Sequence, residues 1–385
     1  MNAIKRFLVL ALCLALVVSC FAGCHEKGEI AVVIGDEQFT SGYYACALVF
    51  ADMDGREKVT EQLGSAALVS GQKIEYWKNP IGGVDYTDWV ENEALEKLKL
   101  IAGAKKLYKQ YEVETSEETN ALYKQLFDQL WLDGNVADIM ESNGVARETF
   151  EDFAYYSYLI DSTFFESYFG LSGTTNLTNP LFEKIYGEGG VNEIAADTIK
   201  NHLNENYVLV DMINASFTGL KDEEKKEKEN QIESYAQALR DGTKTFEEVY
   251  KDYYEVKDEE EKDDASTEEE SDEPAPLDEY ALPVSKENTK IGYAFDQYEV
   301  VKGMKVDEVK TIALEEDKGL ILAIKKDILA DPYYITAADI PLREEIVGEG
   351  YINAIKKEVE GVTCDVNKKS TRQFKVKKIY YPEAN

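Results

Sequence analysis

The sequence predicts an α+β fold, with long helical segments before and after a shorter region that contains strands. Apolar residues recur at the helical period over residues 88–165, and a later helix is predicted at 340–359. Residues 207–217 (YVLVDMINASF) are rich in β-branched and aromatic side chains, which is typical of a strand. Two more strands are predicted at residues 306–312 and 319–325.

The first two dozen residues have the pattern of a bacterial lipoprotein signal. Lys5 and Arg6 are followed by an apolar run, residues 7–18, that is too short to cross a hydrocarbon core of about 30 Å as a helix. Phe-Ala-Gly precedes Cys24 and resembles a lipobox, so we predict a signal peptide over residues 1–23 and lipid attachment at Cys24. Cys20 is an alternative attachment site. An ordinary secretory signal with incidental cysteines is the other interpretation.

Charge limits the partners of such a chain. Removing Lys5 and Arg6 with the signal changes the net charge from −33 to about −35. Binding of nucleic acid through phosphate neutralisation is therefore excluded, and anionic lipid headgroups should repel the chain. We predict an extracytoplasmic protein that contacts the bacterial cytoplasmic membrane through its N-terminal lipid.

Few residues can support metal or acid–base chemistry. After Cys24 the chain contains only Cys46 and Cys364, and the sequence has two histidines, His25 and His202. This pattern excludes a structural zinc site, and we predict no metal and no cofactor. His202 lies in a charged stretch and is interpreted as a solvated helix residue.

The N-terminal half is predicted to be mostly helical. A short strand at residues 30–34 precedes a helix at 43–50, and the glycines in 52–87 are typical of loops. The long helix that follows is capped by Thr87 or Asp88. Two further helices are predicted, one opened by the capping box at 115–118 and one over residues 149–165.

The second half contains the predicted strands and a long acidic run. Helices are predicted at residues 194–206, 222–242 and 246–254. Residues 258–273 then contain eleven acids in sixteen positions, so we predict a disordered insert. The chain ends in residues 374–381 (FKVKKIYY), predicted to form a strand or an extended tail.

The order of these parts resembles the secreted foldases of the PrsA and SurA type, in which a helical chaperone domain is joined to a parvulin-type prolyl isomerase domain. Each matching segment is short, and their order carries the resemblance. The segments are residues 30–36, 191–207, 207–215, 236–250, 302–309, 319–325 and 343–359.

The resemblance implies a domain organisation for the mature chain. A SurA-like helical domain covers residues 24–205, and a small parvulin-like domain covers 206–335 with the acidic insert at 257–279. Residues 336–385 return to the N-terminal domain. That return would bring the C-terminal segment onto the first helix, so Cys46 and Cys364 either form a bridge or remain two separate thiols.

The chain departs from the family at the positions that matter for catalysis. Active parvulins place one histidine in the first strand and one in the last, where this chain has Met212 and Ile321. A thioether and an aliphatic chain cannot make the hydrogen bonds that two imidazoles share. Phe295 is the candidate for the aromatic residue of the proline pocket. We therefore expect isomerase activity to be weak or lost.

Three functions remain open at this point. The first is a chaperone that binds unfolded or exported polypeptides. The second is an active parvulin-type isomerase, and the third is a solute-binding lipoprotein, which would need two α/β lobes. The candidate client-binding residues of the first lie on one aromatic helix, where core packing is the alternative. They are Phe150, Phe153, Tyr156 and Phe164.

Overall fold

The computed structural model describes residues 29–64, 74–133, 136–171, 177, 179–255, 280–315, 318–336 and 339–382. The predicted signal peptide with Cys20, Cys24 and His25 lies outside the described residues, as does the acidic insert. The chain divides into two compact units, one formed by Met1–Ile185 with Glu349–Asn385 and the other by Tyr186–Gly348. Within the described residues, no helix is both long enough and apolar enough to cross a bilayer.

The secondary structure combines helices with two small sheets, as an α+β fold requires. The strands are β1 (Ile30–Ile34), β2 (Glu37–Thr40), β3 (Val208–Ser216), β4 (Ala281–Ser285), β5 (Tyr293–Ala294), β6 (Val309–Ala313), β7 (Gly319–Lys326) and β8 (Cys364–Val366). The helices of the first half are α1 (Ser41–Leu63), α2 (Tyr86–Gln110), α3 (Glu117–Asp133), α4 (Val136–Ser142), α5 (Arg147–Ile160), α6 (Phe164–Phe169) and α7 (Pro180–Tyr186). Those that follow are α8 (Ala196–Asn206), α9 (Asp222–Arg240), α10 (Phe246–Tyr254), α11 (Tyr298–Lys302), α12 (Pro332–Thr336), α13 (Asp339–Val347), α14 (Glu349–Lys357) and α15 (Lys368–Thr371).

Both ends of the described chain take part in the first unit. Strand β1 lies between β2 and β8 and is antiparallel to both, with Val33 opposite Asp365. Helices α2 and α14 also pack together at Gly103. A Cβ atom built on Gly103 would lie 2.5 Å from the carbonyl oxygen of Ile355, so only glycine permits this approach.

Helix α1 is much longer than the predicted helix at 43–50, and it includes residues 52–63 of the stretch that was predicted to be partly loop. Polar residues and Gly55 gave this stretch the appearance of a loop. Asp52 is buried, and it accepts a 2.7 Å hydrogen bond from Arg56 Nε one turn later. Gly55 faces the ring of Tyr86, where a Cβ atom would lie 3.1 Å from the ring.

Two helices differ from the prediction because of local hydrogen bonds: α2 starts earlier, and one predicted helix is divided. Asp85 caps α2, because its side chain accepts from the backbone N–H of Thr87 at 2.9 Å, so the predicted caps Thr87 and Asp88 are wrong. The helix predicted at 149–165 is two helices, α5 and α6. The break forms where Asp161 Oδ1 accepts from the backbone N–H of Thr163 at 2.9 Å.

The C-terminal elements are also shorter than predicted. The helix predicted at 340–359 is divided into α13 and α14 by Gly348, whose φ of +51° ends the first helix. A 3-10 turn forms at Val376–Lys378, and no strand forms in the described residues that follow, 379–382.

The second unit is built around a five-stranded sheet in the order β5-β4-β3-β7-β6. The ladders are antiparallel except that between β4 and β5. Strand β6 begins at Val309, three residues later than predicted, because Asp307 has a positive φ of 61° and belongs to a turn. Helices α9 and α10 pack on one face of β3 and β7, and α11 packs on the other.

This second unit extends beyond the predicted limits of 206 and 335. One of its apolar clusters joins Ile199 and Leu203 of α8 to Leu342 of α13, and Leu209 of β3 packs in the same cluster. The helices on either side of the predicted domain therefore contribute to its core.

The Gly103 contact gives a direct test of the packing in the first unit. Gly103→Ala should lower the free energy of unfolding by about 1–3 kcal/mol, because the added methyl group overlaps a backbone carbonyl of α14. Urea unfolding followed by circular dichroism measures the change. Gly303→Ala is the matched control, since the nearest atom to its Cβ is 3.5 Å away. Equal stability of the two variants would show that α2 and α14 do not approach as described.

Candidate functional site

The two positions expected to hold parvulin histidines lie on the same face of adjacent central strands. In the ladder between β3 and β7, Met212 is opposite Ala323 and Asn214 is opposite Ile321. Side chains two residues apart on a strand share a face, so Met212 and Ile321 are diagonal neighbours. Such pairs are about 7–8 Å apart, within reach of long side chains.

The surroundings of these two residues are apolar. Ile321 is 3% exposed, and Met212 is half-buried against the same cluster. Phe295, the candidate for the proline-pocket aromatic residue, also packs against it. The structure therefore brings together the three residues that the sequence selected. The buried members of the cluster are Val208, Val210, Val284, Tyr298, Val301, Met304, Ile312, Ile321 and Ala323.

The chemistry of this face favours contact with apolar groups. Tyr298 is the one titratable side chain in the cluster, and its hydroxyl donates to the carbonyl of Glu205 at 3.3 Å. Asp211, the nearest carboxylate along β3, alternates to the opposite face of the sheet. It is fully buried and forms an ion pair of 3.1 Å with Lys326. The buried part of the face thus presents a thioether, aliphatic groups and a phenyl ring, and the exposed Asn214 borders it opposite Ile321.

Helix α11 is held over this face by a lysine of β7. Lys325 Nζ donates 2.8 Å hydrogen bonds to the carbonyls of Lys302 and Met304, where the helix ends. A cation at a helix C-terminus is stabilised by the carbonyl groups exposed there. Met304 and Val301 are in this way fixed against the Met212 face.

A second polar cluster in this unit centres on Glu345 of α13. Its Oε2 accepts from the Tyr207 hydroxyl and lies 3.1 Å from His202 Nε2, while its Oε1 accepts from the backbone N–H of Lys290 at 2.7 Å. One carboxylate therefore connects α8, the start of β3 and the loop after β4.

These contacts correct the interpretation of His202 as a solvated residue. Its side chain is 22% exposed, and the ring is held between Glu345 and the Asn206 amide, 3.2 Å from Nδ1. No local pattern selects Glu345, because it is one of 75 acidic residues and lies 143 positions from His202.

The same cluster fixes the loop that leads to Phe295. Gly292 packs so closely against the Tyr207 ring that a Cβ atom would lie 2.7 Å from it. Burial and the hydrogen bond to Glu345 raise the pKa of Tyr207 well above its usual range. The phenol therefore stays neutral and donates to Glu345 at physiological pH.

The predicted client-binding residues of the aromatic helix are core residues for the most part, which corrects their assignment. Phe150, Phe153 and Phe164 are buried, and their rings lie within 6.5 Å of the ring of Phe50 on α1. Tyr156 is half-buried, with Lys105 Nζ 4.7 Å from its ring centroid. Buried rings that pack α5 against α1 are not available to an external ligand.

Cys46 and Cys364 do not form a disulfide with each other; Cys46 is buried in α1 and Cys364 is half-buried in β8. Burial raises the pKa of the Cys364 thiol. Within the described residues, no group of three or more His, Cys, Asp or Glu side chains could hold a metal ion. No protein-family model and no curated protein matches the chain.

The Glu345 cluster predicts an unequal effect of two neighbouring substitutions. Glu345→Ala should lower the free energy of unfolding by about 2–3 kcal/mol, because it leaves the buried Tyr207 hydroxyl without its charged acceptor. Glu344→Ala removes an ion pair with the partly exposed Lys290 and should cost less. Urea unfolding monitored by circular dichroism compares the two variants. A Glu345→Ala protein as stable as Glu344→Ala would contradict the role of this carboxylate.

Proposed function

We propose that this chain is a lipid-anchored extracytoplasmic protein of the PrsA and SurA type that binds unfolded exported polypeptides and has weak or no prolyl isomerase activity. The observation that carries the proposal is the placement of Met212 and Ile321. They share one face of two adjacent strands, at the positions where the resemblance expects paired histidines.

The arrangement of the second unit supports the parvulin-like part of the proposal. The segments that resemble the first and the closing parvulin strands are β3 and β7, which pair side by side in the sheet. The segments that resemble the family's helix pair lie in α9 and α10, between those strands in the chain. The resemblance rests on sequence segments, whereas the pairing is a property of the fold, so the two observations are independent.

The side chains on the shared face support binding without catalysis. Rotation about a prolyl bond has a barrier of about 18–20 kcal/mol, and catalysis requires groups that stabilise the twisted imide. Met212 and Ile321 provide apolar contact and no strong hydrogen-bond donor. A site of this composition can hold an apolar segment in its ground state without lowering the barrier.

The two alternative functions are an active isomerase and a solute-binding lipoprotein, and different observations bear on each. An active isomerase would have to work with Met212, Ile321 and Phe295 as its pocket. A solute-binding lipoprotein of the two-lobed kind needs parallel strands alternating with helices. Among the described strands, only β4 and β5 pair in parallel, which argues against that class.

The decisive experiment measures isomerisation and chaperone activity together. The chain starting at His25 is assayed for protease-coupled isomerisation of a proline tetrapeptide and for suppression of aggregation of a chemically denatured client. We expect suppression of aggregation with isomerisation close to the uncatalysed rate. The expectation follows from the thioether of Met212 and the aliphatic chain of Ile321, which stand where the resemblance expects two imidazoles.

Two substitutions distinguish the proposal from the isomerase alternative. Clear isomerase activity that disappears in both Met212→Ala and Phe295→Ala would contradict the proposal and favour a parvulin-type enzyme. Absence of both activities would contradict polypeptide binding altogether. Folding of each variant is checked by circular dichroism, since Phe295 packs against a core cluster.

A further inference from the structure

The last described residues of the chain form a tail that contacts other residues of the first unit. After the turn at Val376–Lys378, residues 379–382 belong to no helix or strand. Val376 is buried, and the preceding α15 contains the buried Ser370 and Thr371. The chain is thus anchored before the tail begins, and release of residues 379–382 would not remove those upstream contacts.

The side-chain amide of Asn143 forms hydrogen bonds with the backbone of this tail through both its oxygen and its nitrogen. Its Oδ1 accepts from the backbone N–H of Tyr380 at 2.9 Å, and its Nδ2 donates to the Tyr380 carbonyl at 2.9 Å. The second hydrogen of Nδ2 is donated to the carbonyl of Ile139 at 2.7 Å, which fixes the amide in this orientation. These bonds require an extended residue but not a particular side chain.

The side chain of the next residue supplies the specific contact. The Tyr381 hydroxyl donates to Asp52 Oδ2 at 2.9 Å, and Asp52 is 1% exposed. The guanidinium carbon of Arg56 lies 4.3 Å from the centroid of the Tyr381 ring. A buried carboxylate and a stacked guanidinium together recognise a neutral phenol.

The groups that receive Tyr381 also contact one another and their neighbours. Asp52 keeps its hydrogen bonds from Arg56 Nε at 2.7 Å and from the Tyr86 hydroxyl at 2.8 Å. Arg56 also stacks on Tyr76, with 4.7 Å between its guanidinium carbon and the ring centroid. A site whose polar groups are already paired is preorganised to accept a ligand.

We propose that Asn143, Asp52 and Arg56 form a binding site for an extended polypeptide segment that carries a tyrosine, and that the C-terminal tail occupies this site as an intramolecular ligand. The external ligand rests on the proposed function, because it is a segment of an unfolded client. Asp52 would repel an acidic anchor, and a phenylalanine would leave the Asp52 oxygen without its third donor.

The tail is suited to exchange with such a segment. Tyr380 is 50% exposed, and the hydrogen bonds of the tail are made by its backbone to Asn143 and by the Tyr381 hydroxyl to Asp52 and to the Val49 carbonyl at 3.4 Å. A tethered ligand competes at a high effective concentration, which keeps external segments out unless they are abundant or better bound.

The test uses the chain starting at His25 and a fluorescent heptapeptide with the sequence of residues 379–385, IYYPEAN. Tyr381→Ala removes the anchor from the tail and leaves the pocket intact, so the heptapeptide should bind about 10-fold or more tightly to this variant than to the unsubstituted chain. Tyr380→Ala is the matched control and should leave the weak binding unchanged. A heptapeptide with phenylalanine in place of its second tyrosine should lose most of the gain.

Three results would overturn the inference. One is equal binding of the heptapeptide to the unsubstituted chain and to Tyr381→Ala. Another is equal binding of the tyrosine and phenylalanine peptides. The third is failure of a denatured client to compete with the bound heptapeptide. In that case the tail would stabilise the fold without occupying a site for clients. Tyr381→Phe keeps the ring over Arg56 and gives an intermediate gain, so the comparison survives if Tyr381→Ala proves unstable.

The aggregation assay separates this inference from the proposed function. Suppression of aggregation by every variant, with no heptapeptide binding to Tyr381→Ala, overturns the site and leaves the chaperone function in place. Heptapeptide binding that a denatured client displaces, without suppression of aggregation, supports the site and contradicts the chaperone function.

Discussion

A buried carboxylate organises the first unit. Asp52 lies in the middle of α1, and a charge removed from water is tolerated only when several donors surround it. The donors come from three parts of the chain, namely Arg56 of α1, Tyr86 at the start of α2 and Tyr381 of the C-terminal tail. The length of α1, the position of α2 and the path of the tail are therefore linked by one side chain.

The second unit depends on a different constraint, the register of β3 against β7. A shift of one residue would exchange the apolar face of Met212 with the face that carries Asp211. Asp211 is fully buried and paired with Lys326, so such a shift would move a charge into the cluster under α11. The composition of the Met212 face is thereby fixed by the same pairing that holds the sheet together.

The sequence predicted the type of most elements and missed features that depend on distant contacts. Strands β3 and β7 and helix α10 were found nearly to the residue, because their composition and period are unambiguous. The extension of α1 was missed because its polar residues are satisfied by partners in space, such as Tyr86 and Tyr381. The Glu345 cluster and the Asn143 contact join residues 143 and 237 positions apart, a separation that no local pattern encodes.

Photo-crosslinking with peptide mapping tests most directly whether this chain binds unfolded polypeptide. A denatured client that carries photoactivatable tyrosine analogues is incubated with the Tyr381→Ala chain, illuminated and digested. We expect crosslinks concentrated on two places, the segments that contain Met212 and Phe295 and those that contain Asn143 and Arg56, with fewer at the latter in the unsubstituted chain. Absence of crosslinks, or crosslinks spread evenly over the described surface in both proteins, would contradict this expectation.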